Sequence, residues 1–169
     1  YYRRQGKLNA ALTNLQKALK IEARLKKVDN SADTHLNMCA VLSQLGHHQA
    51  ALEHAQSALI LMQEELFTNQ TQPISQKLDR VAVLSIAYHN IGVEQEFLKK
   101  YSASLGSYRK GVEVAEQHLG AKHGITITLK NSMIAAKKAL AIHQQKQKLM
   151  SVPKKGRKSM KKRTTRNKN

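Results

Sequence analysis

Two sets of small residues with identical intervals constrain this chain more than any other feature. Gly6, Ala11, Ala18 and Gly46, Ala51, Ala58 are each spaced five and then seven residues apart. Both sets lie among apolar residues of helical period. Small residues at such intervals let successive short helices approach closely, as in stacked arrays of helix pairs. A stack of that kind offers surface to partners rather than a reaction chamber.

Composition points the same way. Hydrophobic residues make up 41% of the 169, but there is no Trp and only two Phe. The core must therefore come from Leu, Ile, Val, Ala and Met, which suit thin layers between helices. Two prolines, eight glycines and no sustained period-two alternation argue against a β sandwich. Cys39 is the only cysteine, so an intramolecular disulfide is excluded, and the composition fits a reducing compartment. No apolar run is long enough for a membrane span, and the longest candidate, Ala55 to Leu66, is broken by Gln and Glu. The opening Tyr-Tyr-Arg-Arg carries no cleavable signal pattern and is expected to be an internal start.

Read along the chain, Tyr1–Gln5 is expected to end a helix that begins upstream, with Gly6 as a turn. Leu8, Leu12, Leu15, Leu19 and Ile21 then form a helical apolar face. Further helices are expected from Thr34 to Leu45, Gln49 to Phe67, Gln76 to Lys99, Tyr101 to Leu119 and Ile125 to Met150. Gly46-His47-His48 reads as a turn with glycine in a left-handed position. Thr68 to Ser75, with Pro73, reads as a longer link.

Charge is placed unevenly. Residues 1–116 hold 14 Lys or Arg against all 11 acidic residues, a net of +3, whereas residues 117–169 hold 15 Lys or Arg and no acid. The final stretch, 151–169, is expected to be a disordered Lys/Arg-rich tail.

The Gly–Ala sets, with Tyr2, Leu8 and Leu15 in the first and Leu42 and Ala55 in the second, resemble the tetratricopeptide repeat family. Tyr88-His89-Asn90-Ile91-Gly92, followed by Ser104, Tyr108 and Gly111, resembles a third unit in which Lys99 replaces the turn glycine. Leu119-Gly120-Ala121-Lys122-His123 with Thr126 and Leu129 is similar to the longer units of kinesin light chain-like members. The resemblance implies an all-α fold, a right-handed α-solenoid of antiparallel helix pairs over residues 1–150. Its first unit is partial, the third and fourth are irregular, and the last serves as a cap.

The family's peptide groove is lined by first helices, which makes Leu36, Ala40, Ser43, Gln44, His89, Val93, Glu96 and Phe97 the groove candidates. Phe97 and His89 are the expected anchors. The Lys and Asn residues that grip a terminal carboxylate in chaperone-type members are replaced by Leu36, Ala40, His89 and Val93, which argues against a carboxylate clamp. Cys39 reads as a packed small residue. No recognised metal, nucleotide or nucleophile motif is present, so neither a cofactor nor a metal is expected. Glu94 and Glu96 do not share a helix face, and Glu96 with Lys100 reads as an exposed pair.

In the tail, Lys154, Lys155, Arg157, Lys158, Lys161, Lys162, Arg163, Arg166 and Lys168 are candidates for contact with an acidic protein surface or other polyanion. The tail has no aromatic residue to stack on bases. The expected function is a noncatalytic adaptor that binds protein through the helical stack, in the cytoplasm and in a cytoskeletal or ciliary setting. The alternative is a nucleic-acid-binding protein using its basic C-terminal region, with a nuclear location compatible with the basic clusters.

Overall fold

The computed structural model describes residues 2–25, 31–68 and 73–151, with the side chains of residues 2 and 3 excepted. Six helices occupy most of that length: α1 Tyr2–Glu22, α2 Ser31–Gln44, α3 His48–Thr68, α4 Ile74–Phe97, α5 Tyr101–His118 and α6 Gly124–Ser151. The ends of α2 to α6 fall within three residues of those expected from apolar spacing and turn residues.

The beginning of the chain differs from expectation. Helix α1 runs unbroken through Gly6, which is exposed and does not take a left-handed backbone. Gly6 therefore matches Gly46 in spacing but not in conformation. A glycine inside a helix costs about 1 kcal/mol relative to alanine, and Leu12, Leu15 and Leu19, packed toward the core, offset it.

Packing divides the chain into two units, Tyr1–Ala136 and Lys137–Asn169. Within the first, successive helices pack antiparallel, as contacts between opposite ends show. Arg4 at the start of α1 bonds Gln44 at the end of α2, while Glu22 at the end of α1 bonds Thr34 near the start of α2. His48 at the start of α3 meets Glu94 near the end of α4, and Glu65 near the end of α3 meets Arg80 near the start of α4. Helices α2 and α4 also touch and run parallel, since Asp33 and Arg80 pair near their starts. This is a stack of antiparallel helix pairs.

Arg80 holds three helices in register, with Nε 2.8 Å from Glu65 and Nη1 3.2 Å from Asp33. Partly exposed pairs of this kind contribute under about 1 kcal/mol each. The larger stabilisation comes from the apolar layers. One joins Met38, Cys39 and Leu42 of α2 to Ala51, Leu52 and Ala55 of α3 and Ile91 of α4, flanked by Leu12, Leu15 and Leu19 of α1. A second joins Tyr108, Val112 and Ala115 of α5 to Leu129 and Ala136 of α6.

Two turns share one hydrogen-bond pattern with different residues. At the end of α2, Gly46 N–H donates to Ser43 and His47 N–H reaches back to Leu42, with Gly46 at φ +82°. At the end of α4, Lys99 N–H donates to Glu96 and Lys100 N–H reaches back to Gln95, with Lys99 at φ +59°. The left-handed residue lets the chain satisfy the last carbonyls while reversing direction. Lysine occupies the turn that the glycine pattern demands.

The described part of the second unit is the end of α6, residues 137–151. Lys137, Lys138, Lys146 and Lys148 are exposed there, and Gln147 Nε2 donates to His143 Nε2 at 2.9 Å, one helical turn away.

Candidate functional site

The parallel first helices α2 and α4 carry all eight groove candidates. On α2, Leu36 is half-buried and packs beside Ala32, Met62 and Leu84. Ala40 and Gln44 are exposed and Ser43 is half-buried. Gln44 Oε1 accepts a hydrogen bond from Arg4 at 3.2 Å. Helix α4 binds its candidates more tightly. Val93 packs against the α5–α6 layer, and His89 Nε2 lies 3.1 Å from Ser132 Oγ on α6. The His89 ring is tilted against Tyr108 at 5.6 Å, and burial holds its pKa below the usual histidine value. Neutral His89 thus serves as a joint between α4, α5 and α6.

Glu96 accepts the Tyr108 hydroxyl at 3.5 Å, in place of the exposed pairing with Lys100 expected from the sequence. Burial raises the Glu96 pKa, and the Tyr108 hydrogen bond opposes that rise. Burial, helped by the Glu96 charge, likewise pushes the Tyr108 hydroxyl well up.

The most organised polar arrangement ends on the exposed Phe97. Glu94 is 2% exposed, a carboxylate enclosed near the end of α4. An ionised carboxylate in such surroundings needs a strong donor. His48, at the start of α3, supplies it through Nδ1 at 2.8 Å from Glu94 Oε2. The His48 ring then lies flat on Phe97, with centroids 4.0 Å apart and planes 5° apart. Phe97 itself remains 59% exposed. The buried acid orients the histidine, and the histidine supports one face of the phenyl ring.

The same carboxylate bears on Cys39. Burial, reinforced by the Glu94 charge, pushes that thiol up to about 12. Cys39 stays protonated at neutral pH and lacks the thiolate that nucleophilic or redox chemistry requires. Its place in the α2–α3 layer accounts for it.

A second histidine arrangement links α2 to α3. His35 Nδ1 and His54 Nδ1 are 2.8 Å apart, with ring centroids 5.0 Å apart. That centroid distance is close to the largest compatible with the short contact, so the two nitrogens point at each other and share one proton. Burial lowers both pKa values; Glu22 pulls His35 upward and Glu53 pulls His54 upward, and neither prevails. Glu22 is itself held by Thr34, whose Oγ1 donates to Oε1 at 2.7 Å.

Sequence reasoning singled out Phe97 as a groove candidate and missed both histidine arrangements. Their partners are 46 and 19 residues apart, and no local spacing marks them. Among the described residues, no three of His, Cys, Asp and Glu converge as metal ligands, and no helix is long and apolar enough to cross a membrane. His123 turns its Nδ1 to the Ile125 N–H at 3.3 Å, serving the open end of α6. The nine basic tail candidates from Lys154 to Lys168 lie outside the described residues. Comparison with models of known protein families finds no match, and comparison with curated proteins finds none either.

Proposed function

We propose that this chain is a noncatalytic adaptor built from tetratricopeptide-type repeats, with kinesin light chain-like character in its later helices. One observation carries the proposal: a phenyl ring, Phe97, is left open on a first helix while half-buried His48, held by buried Glu94, supports its other face. A buried carboxylate is costly, and here it orients an exposed aromatic surface. Rigid aromatic anchors contribute disproportionately to protein–protein binding. A peptide with an apolar side chain over Phe97 and polar contacts to Gln44 and Ser43 suits the α2–α4 face.

The basic C-terminal stretch adds contact with an acidic protein surface, such as the glutamate-rich tails of tubulin in a cytoplasmic, cytoskeletal or ciliary assembly. The nine cations of residues 151–169, with no acid among them, support that reading electrostatically. The same charge favours a second reading, nucleic-acid binding through phosphate contacts.

Binding of an immobilised peptide library tests the groove. Phe97→Ala should weaken selected apolar peptides by about tenfold or more while leaving glutamate-rich peptides unchanged. Equal loss for both peptide classes would sink the groove assignment. Removing residues 152–169 should abolish glutamate-rich binding. A preference for RNA over those peptides, with a steep salt slope, would support the second reading instead.

A further inference from the structure

Helix α1 carries an exposed stripe that the adaptor reading does not use. Leu12, Leu15 and Leu19 turn toward the α1–α2 contact. On the opposite side, spacings of three and four bring Lys17, Lys20 and Ile21 onto one face, and Arg24 and Leu25 follow, exposed, in the turn just beyond the helix. The chain stays coiled past the helix end, with Arg24 N–H bonded to Ile21 and Leu25 N–H to Glu22, each at 3.0 Å. Ile21 is 59% exposed and Leu25 57%, although both are large aliphatic side chains.

The three cations of this stripe are exposed and form no ion pair among the described residues. The nearest acid in sequence, Glu22, is turned inward to Thr34. Two described cations do find acids, Arg80 with Glu65 and Asp33 and Lys130 with Glu116; those of the α1 stripe instead lie together on one side of a helix beside exposed aliphatic side chains. The helix dipole favours Lys20 and Arg24 near a C-terminus. It does not account for Lys17, nor for two aliphatic side chains left in water.

We infer that this face docks an acidic amphipathic helix of a partner protein. Carboxylates at helical spacing would meet Lys17, Lys20 and Arg24, while an adjoining Leu or Ile row would cover Ile21 and Leu25. The charges steer and align the partner, and the aliphatic contact fixes it. A nucleic-acid backbone satisfies only the cations, and the stripe has no aromatic residue for base stacking. The stripe is distinct from the Phe97 face.

The test uses the full chain and a labelled helical peptide of about four turns, with Glu and Leu in adjoining rows and a photo-reactive group at its centre. Cross-links should map to α1. Lys17→Glu with Arg24→Glu should weaken binding by about tenfold or more, and so should Ile21→Ser with Leu25→Ser. Changing the peptide's Glu to Gln, or its Leu to Ser, should cause a similar loss. Phe97→Ala should cause none, which separates this surface from the groove. All four altered side chains are exposed, and circular dichroism checks that the variants fold; the cross-link map on the unaltered chain decides if they do not. Cross-links confined to residues 152–169 would refute the assignment. So would peptide binding indifferent to Ile21 and Leu25, or capture of phosphatidylserine vesicles in preference to the peptide.

Discussion

The pairs α2–α3 and α4–α5 correspond position by position at an offset of 53 residues, yet they distribute side-chain size in opposite ways. In α2–α3, Gly46 makes the turn and Ala51, Ala55 and Ala58 are completely buried along the second helix. In α4–α5 the matching positions are Lys99, Ser104, Tyr108 and Gly111. Tyr108, 1% exposed, stands where the first pair has Ala55. The first helix compensates: Cys39 of α2 corresponds to Gly92 of α4. A Cβ on Gly92 would lie 2.5 Å from the Tyr108 ring, and one on Gly111 would lie 2.8 Å from Leu129. In the second pair, then, the loss of a side chain on one helix makes room for a ring on the other.

The largest effect should come from removing the ring that distinguishes the second pair. Tyr108→Ala empties a closed site and should cost about 3–5 kcal/mol in urea unfolding. Gly92→Ala forces a methyl group into the ring and should cost about 1–3 kcal/mol. If the two positions share one volume, the double variant should lose clearly less than the sum. Strict additivity would mean that glycine serves the α4 backbone and not the tyrosine.

The next effect separates the pairs by acidity. His35 and His54 join α2 to α3, whereas the corresponding positions in α4–α5 are Tyr88 and Ser107. Burial lowers both histidine pKa values below 6.5, so below that pH the unfolded chain binds more protons than the folded one. Their contribution to stability is fully present above pH 6.5 and is lost as pH falls through the lowered folded values. A second proton would also set two N–H groups head-on. Glu22 and Glu53 moderate the loss, and His89, lowered by burial, adds to it from α4. Denaturation measured across this range should show a flatter acid limb in His54→Gln than in the parent chain. An unchanged limb would rule out the shared proton.

The smallest effects lie at the turns and should have opposite signs. Gly46→Ala adds a Cβ that meets no neighbour, so it reports backbone preference alone and should cost about 1 kcal/mol. Lys99→Gly relieves the left-handed lysine and should gain up to about 1 kcal/mol. Midpoint shifts of the same sign would show that the turns are not equivalent.

The sequence made the helices legible because apolar spacing and turn residues are local. Tyr101 was located as the start of α5, and Gly46 as the left-handed turn. Gly6 misled because an identical spacing does not force an identical backbone. Gly92 and Gly111 were recognisable as small positions, but what occupies the space beside them depends on other helices. Glu94 was visible only as part of a Glu-x-Glu run that shares no helix face, and His48 as a polar turn residue. Only the antiparallel approach of α3 and α4 encloses the acid and brings the histidine to it. Phe97 could be picked out as a groove candidate, but the histidine stacked on it could not.

Helix α1 buries none of its described side chains completely, whereas every helix from α2 to α6 does. Its leucines contact the stack from one side only. That asymmetry sets an order in time: α1 amides should exchange with deuterium through local opening, well before those at the centres of α3 and α4. Each such opening releases the Glu22–Thr34 bond at one end of α1 and the Arg4–Gln44 bond at the other. An acidic helix seated on Lys17, Lys20 and Arg24 would slow exchange there first. Because neighbouring units communicate mainly through their shared interface, the inner pairs could remain closed while this outer helix opens and reseals.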